Sequence, residues 1–225
     1  MPEQTDEHEQ IREQLRQRVL GGDCSGYDEL YRGAKGDPSK IPWADLKPNV
    51  NVTAWLDREM PGATPGAGQR ALVVGCGLGD DAEELARRGF SVTAFDISRT
   101  AIEWCRKRFR NSRVAYVVAD LLEPPTAWPR AFDFVLESYT IQAMPLELRE
   151  RALRQVADFV APRGRLLIVC RARDETDPPG DLPYPLTRHE LDLLWHLGLR
   201  ATSFEDYMDE TRDPPIRRFR ASYVR

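Results

Sequence analysis

Residues 70–81 read RALVVGCGLGDD and combine an apolar run, three closely spaced glycines and two aspartates. The run at 70–75 predicts a buried β-strand, because it is short, continuous and rich in branched side chains. The segment Asp80-Asp81-Ala82-Glu83 predicts a capping box at the start of a helix, and Gly89 predicts the end of that helix. The sequence therefore predicts a strand, a glycine-rich turn and a helix in succession.

The same alternation continues toward the C-terminus. Further apolar runs that predict parallel strands lie at 91–96, 114–120, 132–137 and 165–170. Ser98 is placed to cap the helix after the second strand. The apolar face of that helix comprises Ile102, Cys105 and Phe109. Pro145 suits the first turn of another helix, which runs to about Val160.

The C-terminal part predicts a different arrangement. Residues 174–185 are rich in proline and long enough to form a lid. Thr187 and Glu190 then predict a second capping box. Residues 200–208 and 217–224 predict two strands with no helix between them, and such strands should pair antiparallel.

Together these elements predict an α/β fold with a doubly wound, seven-stranded, mostly parallel sheet of the Rossmann-like kind. An antiparallel C-terminal strand and an N-terminal helical cap complete it. Residues 1–20 predict a surface helix whose narrow apolar stripe comprises Ile11, Leu15 and Val19. Because 21–68 is rich in glycine, proline and aromatic residues, we expect a cap at 1–67, forming one compact unit with a ligand-binding domain at 68–225.

The composition narrows the class of protein. The 225 residues are 41% hydrophobic and 30% charged, with a formal net charge of −4. No run of eighteen apolar residues predicts a membrane span, and the acidic balance disfavours a nucleic-acid partner. The four cysteines form no CxxC pair, so neither a zinc site nor a disulfide framework is indicated. The polar, acidic N-terminus lacks the pattern of a signal peptide, which predicts a cytoplasmic protein.

The glycine-rich turn is the strongest sign of a ligand site. Gly75, Gly77 and Gly79 let the backbone approach a ligand closely where a strand leads into a helix. A dinucleotide fingerprint would need its third glycine at position 80, where Asp80 would instead repel a pyrophosphate. The next predicted strand ends in a second carboxylate, Asp96.

This pattern, with Asp96, resembles the class I S-adenosylmethionine-dependent methyltransferases over about residues 68–170. The resemblance implies that the Gly75–Gly79 turn holds the methionine moiety of S-adenosylmethionine, with Cys76 in contact through its backbone. It also implies that Asp96 accepts both ribose hydroxyls and Asp120 accepts the adenine amino group, since carboxylate oxygens are hydrogen-bond acceptors.

Other residues complete the implied cofactor site. Those that would sandwich the adenine or lie under the cofactor are Ile97, Leu121 and Glu137. Two alternatives stay open. Asp96 caps the helix that begins near Ser98, or Asp120 caps the turn before Pro124. Many family members have an acidic residue two places before the first glycine, where this chain has Val73, so the contact to the cofactor's ammonium group must come from elsewhere.

A narrower resemblance, to the thiopurine and thiol methyltransferases, covers about residues 27–170. It rests on the glycine-rich turn and on three further segments, YDELY (27–31), IPW (41–43) and ESYTIQ (137–142). In that group the aromatic N-terminal segment closes over cofactor and substrate. The resemblance therefore implies that Trp43 lies against the cofactor and Tyr31 lies nearer the substrate.

Methyl transfer from a sulfonium is an in-line displacement, so the protein must align the nucleophile in a pocket that excludes water. Tyr139 and Gln142 are predicted to orient the substrate, with Tyr31 and Arg171 as weaker candidates. No histidine is expected near the strand ends, and a thiol acceptor hardly needs a base. Catalysis by proximity, without an acid or base, is the predicted mechanism.

The sequence thus predicts a small-molecule methyltransferase that produces S-adenosylhomocysteine and uses no metal. A non-catalytic S-adenosylmethionine-binding regulatory domain remains an alternative. An NAD-linked oxidoreductase is a weaker one, because Asp80 opposes it. The basic clusters at 106–113 and 217–220 are the best argument for a nucleic acid, but a helix surface and polar strand positions explain them equally. A homodimer through the N-terminal helix stays open, as do the methyl acceptor and the use of a base.

Overall fold

The computed structural model describes residues 26–225 together with Gln10, Glu13, Leu15, Gln17 and Arg18. The α-helices are α1 (Gly26–Gly33), α2 (Val50–Glu59), α3 (Asp80–Arg87), α4 (Arg99–Arg108), α5 (Arg149–Phe159) and α6 (Arg188–His196). The strands are β1 (Arg70–Val74), β2 (Ser91–Asp96), β3 (Ala115–Val118), β4 (Phe132–Ser138), β5 (Val160–Arg171), β6 (Arg200–Asp209) and β7 (Ile216–Val224). Three short 3₁₀ turns lie at Pro38–Lys40, Ile141–Ala143 and Leu146–Leu148.

The strands form one seven-stranded sheet in the order β3-β2-β1-β4-β5-β7-β6. Strands β1 to β5 pair in parallel, whereas β7 pairs antiparallel with both β5 and β6. The predicted fold class is confirmed. Because β1, β2 and β4 are parallel neighbours, their carboxyl ends meet at one edge, where open α/β sheets bind ligands.

Helices cover both faces of the sheet. On one face, residues of α2, α3 and α4 such as Leu56, Leu85 and Ile102 pack against the strands. On the other face, residues of α5 and α6 such as Val156 and Leu194 form a second core. This arrangement explains why strand β1 is apolar on both sides, as the run at 70–75 predicted.

Two of the three predicted side-chain caps of helices agree with the structure. The Ser98 hydroxyl accepts the Ala101 N–H at 3.0 Å, and Thr187 and Glu190 form both bonds of a capping box. The predicted capping box at Asp80 is wrong. Helix α3 begins at Asp80 after an N-cap glycine, Gly79, that has no side chain to accept a hydrogen bond.

The physical reason is that the first and last side chains of that segment, Asp80 and Glu83, are bound by other elements. Arg108 of α4 donates two hydrogen bonds to Asp80, at 2.8 and 2.9 Å. The Tyr116 hydroxyl of β3 donates to Glu83 at 2.6 Å. These tertiary partners replace the local cap.

Element bounds also differ from the sequence prediction in places. Strand β5 begins at Val160, five residues earlier than predicted, and α5 begins at Arg149 after a 3₁₀ turn. Strand β7 is buried on both sides. Its Arg218 and Arg220 are 3% and 8% exposed, so this basic cluster offers little charge to a nucleic acid.

The N-terminal prediction is only partly covered by the described residues. Leu15 is helical and packs with Leu182 and Tyr184 of the 174–185 segment. Ile11 and Val19 lie outside the described residues, as do His8 and Cys24. The division into a cap at 1–67 and a domain at 68–225 stays a prediction. In the described part of the chain, no helix is long and apolar enough to cross a membrane.

Candidate active site

The glycine-rich turn after β1 needs its glycines. Gly75, Gly77 and Gly79 have φ angles of +57°, +51° and +90°, a region that other residues seldom adopt. A Cβ on Gly75 would overlap the Thr140 side chain, and one on Gly79 would lie 2.6 Å from the Tyr116 hydroxyl. The backbone therefore forms a close-fitting cradle at the edge of the sheet.

Asp96 lies at the end of β2, directly beside this turn. Its two carboxylate oxygens accept the N–H groups of Gly77 and Ser98, each at 2.9 Å. Burial raises the pKa of Asp96 to about 6, against the lowering effect of these hydrogen bonds. Each oxygen keeps a further acceptor position, so the carboxylate fits a vicinal diol as well as it fits the turn.

The predicted adenine residues follow β2 and β3 at the same edge. Ile97 is 40% exposed, whereas Leu121 is buried. The Asp120 carboxylate accepts the Leu122 N–H at 2.8 Å, which leaves its other oxygen for a second donor. Capping of a local turn and contact with a ligand are therefore compatible for Asp120 and for Asp96.

The aromatic cap segment covers the turn. Trp43 donates an indole hydrogen bond to the Tyr31 hydroxyl at 2.9 Å, and the two rings meet edge to face. Tyr31 is buried and its hydroxyl lies 3.4 Å from the Cβ position of Gly77. Trp43 is 41% exposed. Tyr31 therefore lies over the glycine cradle, and Trp43 lies outside it.

Two polar contacts fasten helix α1 across the carboxyl edge of the sheet. The Asp28 carboxylate accepts the Ser98 hydroxyl at 2.8 Å and the Thr100 N–H at 2.9 Å, which caps α4. The Tyr27 hydroxyl donates to the carbonyl of Ala143 at 2.6 Å. Helix α1 of the N-terminal cap thus connects the region after β2 with the region after β4.

Cys76 lies within the glycine-rich turn, and its thiol contacts that of Cys105. The neighbouring Cys105 thiol and burial raise the pKa of Cys76 well above the usual value, so it stays a neutral thiol. The Cys105 thiol in turn donates to the Gly77 carbonyl at 3.2 Å. Among the residues that the structure describes, no cluster of His, Cys, Asp and Glu could hold a metal ion.

Glu137, at the end of β4, and Tyr139 and Gln142, just after it, lie in different surroundings. Glu137 is fully buried on the α5 side, where it accepts the N–H groups of Thr140 and Ile141, and burial raises its pKa to about 7. Gln142 is also buried, and its side chain accepts the Arg171 N–H at 2.6 Å. Both side chains are bonded within the protein, and their predicted roles, Glu137 under the cofactor and Gln142 at the substrate, stay predictions.

Tyr139 faces the other side of the sheet. Its φ of +67° is unusual for a residue with a side chain and directs it toward α2. Asn51 donates to its hydroxyl at 3.1 Å, and the guanidinium carbon of Arg218 lies 4.7 Å from its ring centre. Burial raises the pKa of Tyr139, so the hydroxyl keeps its proton at neutral pH.

No local sequence pattern predicts the polar network behind Tyr139. Asp209 accepts hydrogen bonds from Arg218 at 2.5 Å and from Asn51 at 3.1 Å, and it is 3% exposed. Tyr207 donates to Asn51 at 2.7 Å. These residues come from α2, β6 and β7, which no local pattern links to the glycine-rich turn.

A small cavity lies next to this network. It is lined by residues of the cap and of the β6–β7 hairpin, namely Asp45, Lys47, Pro48, Asn49, Val50, Asn51, Thr211 and Arg212. Arg212 forms an ion pair with Asp45 across it. Two sequence signals belong to this site: Asn49, a residue type that favours a helix N-cap, and the Pro-Pro turn at 214–215.

Comparison with known proteins bears on this site directly. Residues 71–164 match the family model described as a methyltransferase domain. This segment contains the glycine cradle, Asp96 and the segment after β4. The chain carries a class I S-adenosylmethionine-dependent methyltransferase domain. The predicted family, enzyme class and cofactor are thereby confirmed.

Curated relatives share the methyltransferase description. The methyltransferase GfsG of Streptomyces halstedii is 31% identical over 63% of this chain, which spans 50% of that relative's length. A probable thiol methyltransferase 2 of Arabidopsis thaliana is 29% identical over 73% of this chain and 71% of the relative. The chain thus spans about half the length of the first relative and more than two thirds of the second.

Solved structures show the same fold. The N-methyltransferase NodS of Bradyrhizobium japonicum WM9, in complex with S-adenosylhomocysteine, aligns with a TM-score of 0.65 at 21% identity. That alignment covers 88% of this chain and 97% of NodS. The 1,6-didemethyltoxoflavin-N1-methyltransferase of Burkholderia thailandensis aligns with a TM-score of 0.66 at 18% identity, over 89% and 86% of the two chains.

Proposed function

We propose that the protein transfers a methyl group from S-adenosylmethionine to a small-molecule nucleophile, with a thiol as the first acceptor to test. The observation that carries this proposal is the position of Asp96. Its buried carboxylate accepts a hydrogen bond from the Gly77 N–H of the glycine cradle and another from the Ser98 N–H. The narrower likeness to thiol methyltransferases supports the acceptor, as does the name of the Arabidopsis relative.

The chain's own residues bind and orient in this proposal. The cradle Gly75–Gly79 holds the methionine part, Asp96 the ribose, and Asp120 with Ile97 and Leu121 the adenine. When bound, the cofactor supplies an electrophilic methyl group on a sulfonium. Tyr31 excludes water from the cradle, and Trp43 holds Tyr31 in place from outside through its indole hydrogen bond, which favours an in-line displacement.

The acceptor side lies between the segment after β4 and the cavity beside α2. The Tyr139 hydroxyl accepts a hydrogen bond from Asn51, so its own proton is left to orient an acceptor. Gln142 and Arg171 support the segment that carries Tyr139. His189 and His196 are exposed on α6, remote from the glycine cradle in the fold. A thiol supplies its own thiolate fraction, so proximity catalysis needs no base.

Calorimetric titration with S-adenosylhomocysteine tests the cofactor site. The variant Asp96→Asn keeps an acceptor for the turn but loses charge, and we expect its affinity to fall by about 10- to 100-fold, as for hydrogen bonds to a charged group. Asp158→Asn is the control, because the Asp158 carboxylate pairs with Arg130 near the end of α5, away from the turn. Heat from NAD and none from S-adenosylhomocysteine would contradict the proposal.

A methyl-transfer assay then separates an enzyme from a binding domain. We expect labelled methyl to pass from S-adenosylmethionine to small aromatic or aliphatic thiols, with kcat/KM rising with pH according to each acceptor's own thiol pKa. Binding without transfer to thiols, phenols or amines would instead support the non-catalytic alternative. If kcat/KM instead depended on pH with the same apparent pKa for every acceptor, that pKa would belong to an enzyme group and would indicate a general base.

A further inference from the structure

Three carboxylates near the glycine cradle are already engaged by the protein. Asp80 is paired with Arg108, which balances its charge. Glu83 accepts the hydroxyl proton of Tyr116 at 2.6 Å. Asp96 lies at the ribose end of the proposed site, between two backbone donors.

Among the described residues, Asp81 differs from Asp80 in forming no ion pair, a feature that it shares with Glu83 and Asp96. Asp81 is the second residue of α3, partly buried, and its carboxylate accepts the Asn49 N–H at 2.7 Å. The Asn49 side chain donates to the Ser138 hydroxyl at 2.9 Å. Asp81 therefore lies where the first turn of α3, the cap and the end of β4 meet.

No cation balances this carboxylate. Within the described part of the chain, no Lys, Arg or His side chain forms an ion pair with Asp81. Burial raises its pKa to about 6, since the single hydrogen bond from Asn49 offsets the burial only in part. A buried carboxylate without a cation is costly unless a ligand pairs with it.

The proposed cofactor brings such a cation. Its methionine moiety carries an α-ammonium group, which needs carboxylate or carbonyl acceptors when it leaves water. Val73 on β1 is apolar and 3% exposed, so it supplies neither charge nor acceptor to the ligand. We infer that the Asp81 carboxylate pairs with the α-ammonium group of S-adenosylmethionine. This assignment rests on the proposed function.

The test is a binding cycle with two ligands and two proteins. The ligands are S-adenosylhomocysteine and its analogue with hydrogen in place of the α-amino group. The wild-type protein should bind the analogue about 10- to 100-fold more weakly. In Asp81→Asn, which keeps the acceptor for Asn49, the two ligands should bind with nearly equal affinity. Titration calorimetry supplies all four constants without an activity assay.

The matched control is Asp80→Asn, which removes the same charge one residue earlier from a group that Arg108 already pairs. Its preference for the α-amino ligand should stay near that of the wild type. Circular dichroism checks the fold of each variant, and Asp81→Ser provides a second acceptor-keeping variant if the amide fails to fold.

Each outcome decides the assignment. Loss of the preference for the α-amino ligand in Asp81→Asn or Asp81→Ser, with the preference kept in Asp80→Asn, supports it. A preference that survives both substitutions, with both ligands weakened equally, overturns it and leaves Asp81 as a support of the Asn49 backbone. Failure of the wild type to bind S-adenosylhomocysteine at all would instead refute the proposed function, and this inference with it.

Discussion

Tyr139 shows how one side chain is set by contacts from three elements. Its hydroxyl accepts from Asn51, and its ring lies under the guanidinium of Arg218. Arg218 is in turn fixed by the buried carboxylate of Asp209. Such an ion pair orients more than it stabilises, because the desolvation of both charges offsets their attraction. The left-handed backbone at Tyr139 is strain that this packing maintains.

Removal of the Tyr139 hydroxyl should therefore affect turnover more than cofactor binding. In Tyr139→Phe the ring stays under Arg218, but the proton that orients the acceptor is lost. We expect kcat to fall by about 3- to 10-fold, the value of one hydrogen bond, with the Kd of S-adenosylhomocysteine unchanged. Steady-state kinetics and calorimetry measure the two. Tyr223→Phe, at the opposite edge of the sheet, is the control that should change neither.

At the scale of elements, helix α1 acts as a strap over the cofactor site. It is short, and two of its side chains fix its position. Asp28 binds the start of α4, and Tyr27 binds the segment after β4. Apolar contacts of Tyr31 with Leu78 and Trp104 complete its docking. Because Leu78 belongs to the glycine-rich turn, docking of the strap and the shape of the cradle are linked.

Weakening the contact between α1 and α4 should loosen this strap. In Asp28→Asn the negative charge at the N-terminus of α4 is lost, at a cost of about 0.3–1 kcal/mol for a charge at a helix end. We expect faster amide hydrogen exchange in residues 26–46 and weaker binding of S-adenosylhomocysteine. Exchange measured by mass spectrometry reports the location. Glu29→Gln removes the neighbouring charge, which faces Arg18, and should leave the exchange of the cap unchanged.

The order of elements could be predicted from the sequence, because apolar runs and helix caps are local patterns. Ser98 and Thr187 cap as predicted, and the glycine cradle and Asp96 lie together as expected for ends of adjacent parallel strands. Asp80 fails as a cap because Arg108, almost thirty residues away, binds it. Asn51 and Asp209 escaped prediction for the same reason, since their contacts join distant elements.

At the scale of the whole molecule, a few buried arginines connect distant elements. Arg149, Arg218 and Arg220 are buried, and each forms an ion pair with an acidic residue. Arg220 also donates to the Asn51 backbone in α2, and Arg58 of α2 pairs with Glu205 of β6. These contacts join the cap region to the C-terminal strands, which favours one cooperative unit.

A cooperative unit should melt in one transition, and S-adenosylhomocysteine should raise the temperature of that transition. At a concentration of S-adenosylhomocysteine one hundred times its Kd, binding raises the free energy of unfolding by about 2.7 kcal/mol. This corresponds to a rise in Tm of about 5–10 °C for a chain of this size. Circular dichroism reports the whole chain, and tryptophan fluorescence includes Trp43 and Trp55 of the cap region. We expect both signals to shift together, because the ligand site includes residues of both parts. Two separated transitions, with only the later one raised by the ligand, would show that the cap at 1–67 unfolds independently of the domain at 68–225.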